Sequence, residues 1–184
     1  KMLIIGIILG IIVILAILAI IYKNKFVILD NRVKNSWSQI DVQMQNRFSL
    51  VPNLVETVKG YAKHEKDTLE GISNAKTKYM SASTTEEKME ANYQLNELLG
   101  KFFAISEAYP ELKANTSFEK LQTQLMEIED KIRFARQFYN DTVTEYNQAI
   151  QMFPGNLFAG MFNYKNIELF KANEMAREEI KVKF

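Results

Sequence analysis

The chain has 184 residues, with 23 Lys and Arg against 22 Asp and Glu, one His and no Cys. Setting Lys1 aside leaves 22 basic residues matching the 22 acidic ones, so the basic face of a nucleic-acid binder is not expected. The lack of Cys excludes disulfides, thiolate metal sites and an acylated N-terminal cysteine.

The first stretch, Met2 to Tyr22, contains no charge, amide or proline. As a helix it would be about 31 Å long, the thickness of a bilayer's hydrocarbon core, with every backbone group bonded internally. Ile and Leu on all faces leave no polar side for water, so the stretch reads as a transmembrane anchor rather than an amphipathic surface helix. A cleaved signal would have a shorter apolar core and a small-x-small site, a spacing that Ala16 and Ala19 miss. A buried core helix is disfavoured because nothing downstream is apolar enough to surround it. Gly6 and Gly10 make a G-x-x-x-G, a candidate helix–helix contact in the membrane; the plainer reading is that Gly is common in such helices. Lys23, Lys25, Arg32 and Lys34 against Asp30 make the following flank basic, which predicts a cytoplasmic body and a short external N-terminus.

From Val33, a stripe of Val33, Trp37, Ile40, Met44 and Val51 has heptad spacing, and no Gly or Pro interrupts Leu15 to Val51. The anchor is therefore expected to run into this helix almost without a break. Pro52 predicts a kink or restart, with Ser49 as a cap, and Leu54, Val58, Tyr61, Leu69, Ile72 and Tyr79 would line a second helix. After the loop at Ser81–Thr85, Thr84 with Glu87, or Ser83 with Glu86, makes a capping box that opens a third helix ending at Tyr109-Pro110. Thr116 with Glu119 suggests another box, opening the longest soluble helix. Its stripe runs through Phe118, Leu121, Leu125, Ile128, Ile132, Ala135, Tyr139, Thr142, Tyr146, Ala149 and Phe153. Pro154-Gly155 ends it, and an aromatic-rich tail without a clean period follows. It could cross the bundle end, touch lipid or meet a neighbouring subunit.

The pattern predicts an all-α protein: an N-terminal transmembrane helix continuing into an antiparallel up-down four-helix bundle. Residues 1–24 would be the anchor, 25–155 the helical bundle domain and 156–184 the C-terminal aromatic-rich tail.

The inventory for chemistry is short. His64 lacks the second His, four residues on, that a zincin needs, since Thr68 stands there, and one His cannot build a di-iron bundle. No nucleophile elbow, phosphate loop or metal-ligand cluster is present, so no catalytic, cofactor-binding or metal residues are assigned. Glu129, Arg133, Arg136, Asn140 and Asn147 lie along or beside the stripe of the longest helix. If Arg136 and Asn140 face inward they need partners, with Glu65 and Asn53 as candidates. Asn53, Glu65, Glu129, Arg136 and Asn140 are therefore a candidate buried polar network, for helix register first and for binding second.

With the helices in place, the chain resembles the LemA family of bacterial membrane proteins. The matching residues are Pro52-Asn-Leu-Val55, Val58-Lys-Gly-Tyr61, His64-Glu65, Glu107-Ala-Tyr-Pro110, Leu112-Lys-Ala114 and Phe118-x-x-Leu121. They continue through Ile128-Glu129, Ile132, Ala135-Arg136, Tyr139-Asn140, Val143, Tyr146-Asn147, Ile150 and Phe153-Pro154. Met175 and Ile180 depart from the pattern, where many relatives have Gly and Pro. The resemblance implies an N-terminal transmembrane helix, a small external N-terminus and a cytoplasmic helical bundle in a bacterial cell membrane. It brings no catalytic residues. One relative is associated with building magnetosome membranes, and some members with membrane-bound proteases in envelope quality control.

Two functions compete: a scaffold that self-associates to organise a membrane patch or its resident proteins, and an adaptor for a membrane protease or transport complex. An enzyme is not expected. The expected partners are the lipid bilayer and further copies of the chain, with a membrane protease or other membrane proteins under the second reading. No nucleic acid and no cofactor are expected.

Overall fold

The computed structural model describes residues 1–61 and 65–170, and six α-helices make up their regular structure. They are α1 (Met2–Val58), α2 (Lys66–Ser81), α3 (Thr85–Ser106), α4 (Pro110–Lys113), α5 (Thr116–Gln151) and α6 (Gly155–Met161). No strand occurs among the described residues.

α1 is 57 residues long, and its character changes near Tyr22. Before that point its apolar side chains are exposed, and this is the only described segment with the length and hydropathy to cross a membrane. Beyond it a buried stripe takes over through Phe26, Leu29, Val33, Ser36, Ile40, Met44, Arg47, Val51, Leu54 and Val58. Steps of three and four residues are those that keep side chains on one helix face. The unbroken passage from the apolar run to the stripe agrees with the sequence. Trp37 is half-buried, with the smaller Ser36 enclosed beside it.

The described chain divides into two units. Residues 1–40 belong with 134–170, and residues 41–133 form the other. Boundaries placed at 24 and 155 both fall within the first unit, because α1 continues through residue 24 and α6 begins at Gly155 beside Tyr22.

In the first unit, α1 packs on the later half of α5 through Tyr139, Val143, Tyr146 and Ile150. α6 lies beside the end of the apolar run, with Tyr22 stacked on Phe158 at 5.1 Å. A Cβ on Gly155 would collide with the Ala149 carbonyl oxygen and touch the Tyr22 ring, so only glycine admits this approach. α6 then ends in a left-handed turn. Asn163 has φ 59°, its amide bonds to the Gly160 carbonyl at 3.3 Å, and the Tyr164 amide bonds to the Ala159 carbonyl at 3.0 Å. That pair of bonds is a Schellman cap, and Asn is the residue besides glycine that takes its left-handed position most readily. It reverses the chain, so that residues 164–170 run back along α5 in extended form.

In the second unit, residues of α1, α2, α3 and α5 share one core. Phe48 stacks on Tyr79 at 4.3 Å, and Phe102 meets Phe118 edge-on at 6.1 Å. Leu54, Ile72, Leu95, Leu99, Leu112 and Leu125 are almost fully enclosed.

Several local expectations change. Pro52 neither stops nor restarts α1; Ser49 bonds back to the Asn46 carbonyl and caps nothing. The missing amide costs up to about 3 kcal/mol. Buried Phe48, Val51 and Leu54 on either side hold the helix regardless. The break comes instead after Val58, so Tyr61 lies in a turn and the expected second helix is divided between the end of α1 and α2. The box at Thr84 and Glu87 forms in both directions. At α5 the cap is Asn115 rather than Thr116: its side-chain oxygen accepts from the Ser117 and Phe118 amides at 2.9 and 3.1 Å. Phe153 leaves the α5 stripe altogether and is 80% exposed, since the helix ends two residues earlier.

Candidate functional site

Polar side chains gather at three places on these helices, two in the second unit and one in the first. The most buried centres on Arg47, which occupies an inward heptad position of α1 between Met44 and Val51. Its Nη1 donates to Glu129 Oε2 at 2.6 Å, to Asn92 Oδ1 at 3.4 Å and to Asn96 Oδ1. Asn96 in turn donates to the other Glu129 oxygen at 3.4 Å. The Arg47 side chain is 5% exposed and that of Glu129 32%, so the ion pair is shielded from water on one side only. The cluster ties α1 to both α3 and α5. A guanidinium whose Nη1 is held on fixed acceptors specifies which helix faces meet, because any slip would strand a charge.

The second gathering, on α1, α2 and α3, is Asp41, Tyr79 and Lys88. Tyr79 donates to Asp41 Oδ1 at 2.6 Å, and Lys88 bridges both carboxylate oxygens at 2.9 and 3.0 Å. Burial, and then the bond to Asp41, push the Tyr79 hydroxyl well above the usual phenol range. A groove beside it is lined by Gln45, Phe48, Tyr79, Met80 and Lys88.

The third gathering is an asparagine ladder in the first unit. Asn147 donates to the Ile167 carbonyl at 2.8 Å and accepts from the Ile167 amide at 3.0 Å. Seven residues earlier on the same face of α5, Asn140 does the same with Phe170, at 3.0 and 2.7 Å. The Tyr146 hydroxyl donates to the Lys165 carbonyl at 3.0 Å. An Asn side chain presents an amide N–H beside an amide C=O, as a peptide unit does, so the ladder pairs with an extended backbone as a neighbouring strand would. Trp37, Phe170 and Tyr139 close it on the apolar side, and Arg136 lies over the Phe170 ring at 5.3 Å.

The candidate network of the sequence is thus not one site. Asn140 and Arg136 meet at Phe170 in the first unit, while Glu129 belongs to the Arg47 cluster in the second. Glu65 accepts from the Tyr109 hydroxyl at 3.1 Å and holds that phenol above its usual range. Asn53 is exposed on α1, where its backbone carbonyl accepts from the Thr57 hydroxyl at 2.7 Å. A methyl group added at Gly6 or Gly10 would meet nothing within 4 Å, so both are open positions on the anchor. His64 lies outside the described residues. Sequence reasoning missed Arg47, Asn92 and Asn96; the available signal was that Arg47 places a charge on an otherwise uncharged face of α1. No group of three acidic or His side chains placed to hold a metal occurs among the described residues.

Comparison with known proteins adds the family context. The model of the LemA family matches residues 36–184. Protein LemA of Metamycoplasma hominis is 25% identical, with 86% of this chain and 73% of that protein covered. Magnetosome protein MamQ 2 of Paramagnetospirillum magneticum and magnetosome protein MamQ of Magnetospirillum gryphiswaldense are each 25% identical over 80% of this chain. The chain spans 64% of the length of each MamQ protein.

Proposed function

Because the chain belongs to the LemA family, we propose that it is a membrane-anchored helical scaffold that self-associates and organises a membrane patch or its resident proteins. One observation carries this reading: α1 passes from an exposed apolar segment into a buried heptad stripe without a loop. An anchor joined in this way transmits position and orientation to the body, whereas a flexible linker would only tether it. In this reading the helices of the body form an antiparallel up-down four-helix bundle on the cytoplasmic side, as the basic flank after Tyr22 suggests. The polar clusters then serve register and strap-holding rather than bond-making chemistry.

The test is the mass of the full chain in mild detergent, measured by light scattering across a wide concentration range. Oligomers that persist on dilution are expected, and a strict monomer at the highest concentration would sink the scaffold. An adaptor for a membrane protease or transport complex is the second reading, and the exposure of Phe134 and Phe138, one turn apart on α5, favours it. A photo-crosslinker at Phe138 separates the two: adducts with copies of the same chain alone would remove the adaptor.

A further inference from the structure

The end of the anchor does not stand alone. Tyr22 and Lys23, where the uncharged run stops, both touch α6: Tyr22 through Phe158, and Lys23 with its ammonium 5.6 Å from the Phe162 ring centre. α6 therefore lies at the same depth as the boundary between hydrocarbon and headgroups, if residues 2–22 span the bilayer. Around that contact the chain is built as lipid requires. No residue between Glu145 and Lys165 is charged. Met152, Phe153, Leu157 and Met161 are 66%, 80%, 62% and 61% exposed, and the last three follow one another at intervals of four residues. Water gives no reason to display four large apolar side chains together. Several backbone amides through the turn are bonded internally: Met152 to Gln148, Asn156 to Met152, Leu157 to Pro154, Phe162 to Phe158 and Tyr164 to Ala159. An apolar knob with much of its backbone bonded internally, fixed beside the exit point of an anchor, matches a bilayer interface, where the few remaining polar groups can reach the headgroups.

We propose that the α5–α6 turn, residues 152–162, is a second lipid-contacting element that seats the first unit on the membrane beside its anchor. The proposal rests on the anchor reading. The occupant is the bilayer itself, because the patch continues the surface of a segment whose side chains already face lipid. Two contacts at one depth fix the tilt and rotation of α1, which a lone helix leaves free.

Since the chain has no cysteine, single-cysteine variants can be labelled with an environment-sensitive fluorophore. The full chain, labelled at Leu9, Leu157, Met161 or Phe138, is placed in phosphatidylethanolamine–phosphatidylglycerol vesicles carrying lipids brominated at a shallow acyl position. Phe138, exposed on α5 of the same unit and next in sequence to Tyr139, whose ring meets Trp37, is the control, since Trp37 lies about 22 Å along α1 from Tyr22. Lipid quenching at Leu157 and Met161 should exceed that at Phe138 by about threefold or more, with a blue-shifted emission. Quenching at Leu9 but no excess at Leu157 and Met161 would overturn the proposal and leave the anchor intact. Absence of quenching at all four positions would remove both. If Leu157 labels on separate copies quench each other while the lipid has no effect, a second copy covers the patch and the proposal fails.

Discussion

Asn147 and Ile167, twenty residues apart, are joined by two hydrogen bonds of 2.8 and 3.0 Å, each residue both donating and accepting. A helix side chain thereby replaces a strand as the partner of an extended segment. Asn147→Asp keeps the acceptor and loses the donor, while Asn147→Leu loses both. Hydrogen exchange at the Ile167 amide should accelerate about tenfold or more in the Leu variant and less in the Asp variant. Unchanged protection in Asn147→Leu would mean that the aromatic contacts alone hold the strap.

Arg47→Ala is expected to destabilise the second unit by about 3–5 kcal/mol, because it leaves Glu129 and two asparagines partly buried without their donor. Replacing Arg47 and Glu129 together with Met and Leu should recover a large part of that loss. Urea unfolding in detergent, followed by circular dichroism, measures both. A double variant as unstable as Arg47→Ala would argue that the pair contributes more than register.

The start of α5 offers a contrast of neighbours. Asn115→Ala should cost about 1 kcal/mol, since its side-chain oxygen holds two amides of the first turn. Thr116→Ala should cost only a few tenths, as for an ordinary exposed helical position. The reverse order in thermal unfolding would restore Thr116 as the cap.

Tyr79 predicts an alkaline limit. Its folded-state hydroxyl titrates above the unfolded value near 10, so the stability it confers is complete below that pH and falls as pH rises through the interval between the two. The unfolded chain releases the proton first, giving a loss of at most about 1.4 kcal/mol per pH unit from this group. Tyr79→Phe should flatten this part of the pH–stability profile. An unchanged slope above pH 10 would assign the alkaline loss to other groups.

Gly6→Ile with Gly10→Ile probes self-association apart from folding. Neither glycine has a neighbour within 4 Å in the single chain, so helix content and unfolding should be unaffected. If the anchors pair through this face, the oligomer fraction in mild detergent should fall severalfold, corresponding to about 1 kcal/mol of lost close packing. Equal oligomer fractions would place association elsewhere.

How far the sequence speaks depends on the range of the interaction. The apolar run to Tyr22, the helical class and a capping box at the start of α3 follow from periodicity and near neighbours, although the sequence leaves Thr84–Glu87 and Ser83–Glu86 as equal candidates for the box. Most of the α5 stripe, from Phe118 to Tyr146, follows in the same way. The restart expected at Pro52 is the instructive failure. The proline's local penalty is about 3 kcal/mol, and burial of Phe48, Val51 and Leu54 outweighs it, which no local rule could weigh. The asparagine pairs are invisible for the same reason: Asn140 and Asn147 lie on a legible helix face, but their partners are backbone groups 20 and 30 residues downstream. Composition and period by themselves determined the apolar run and the helical class. Only tertiary structure decided which polar side chains meet, because each meeting requires the chain to return from a distance that no periodicity encodes.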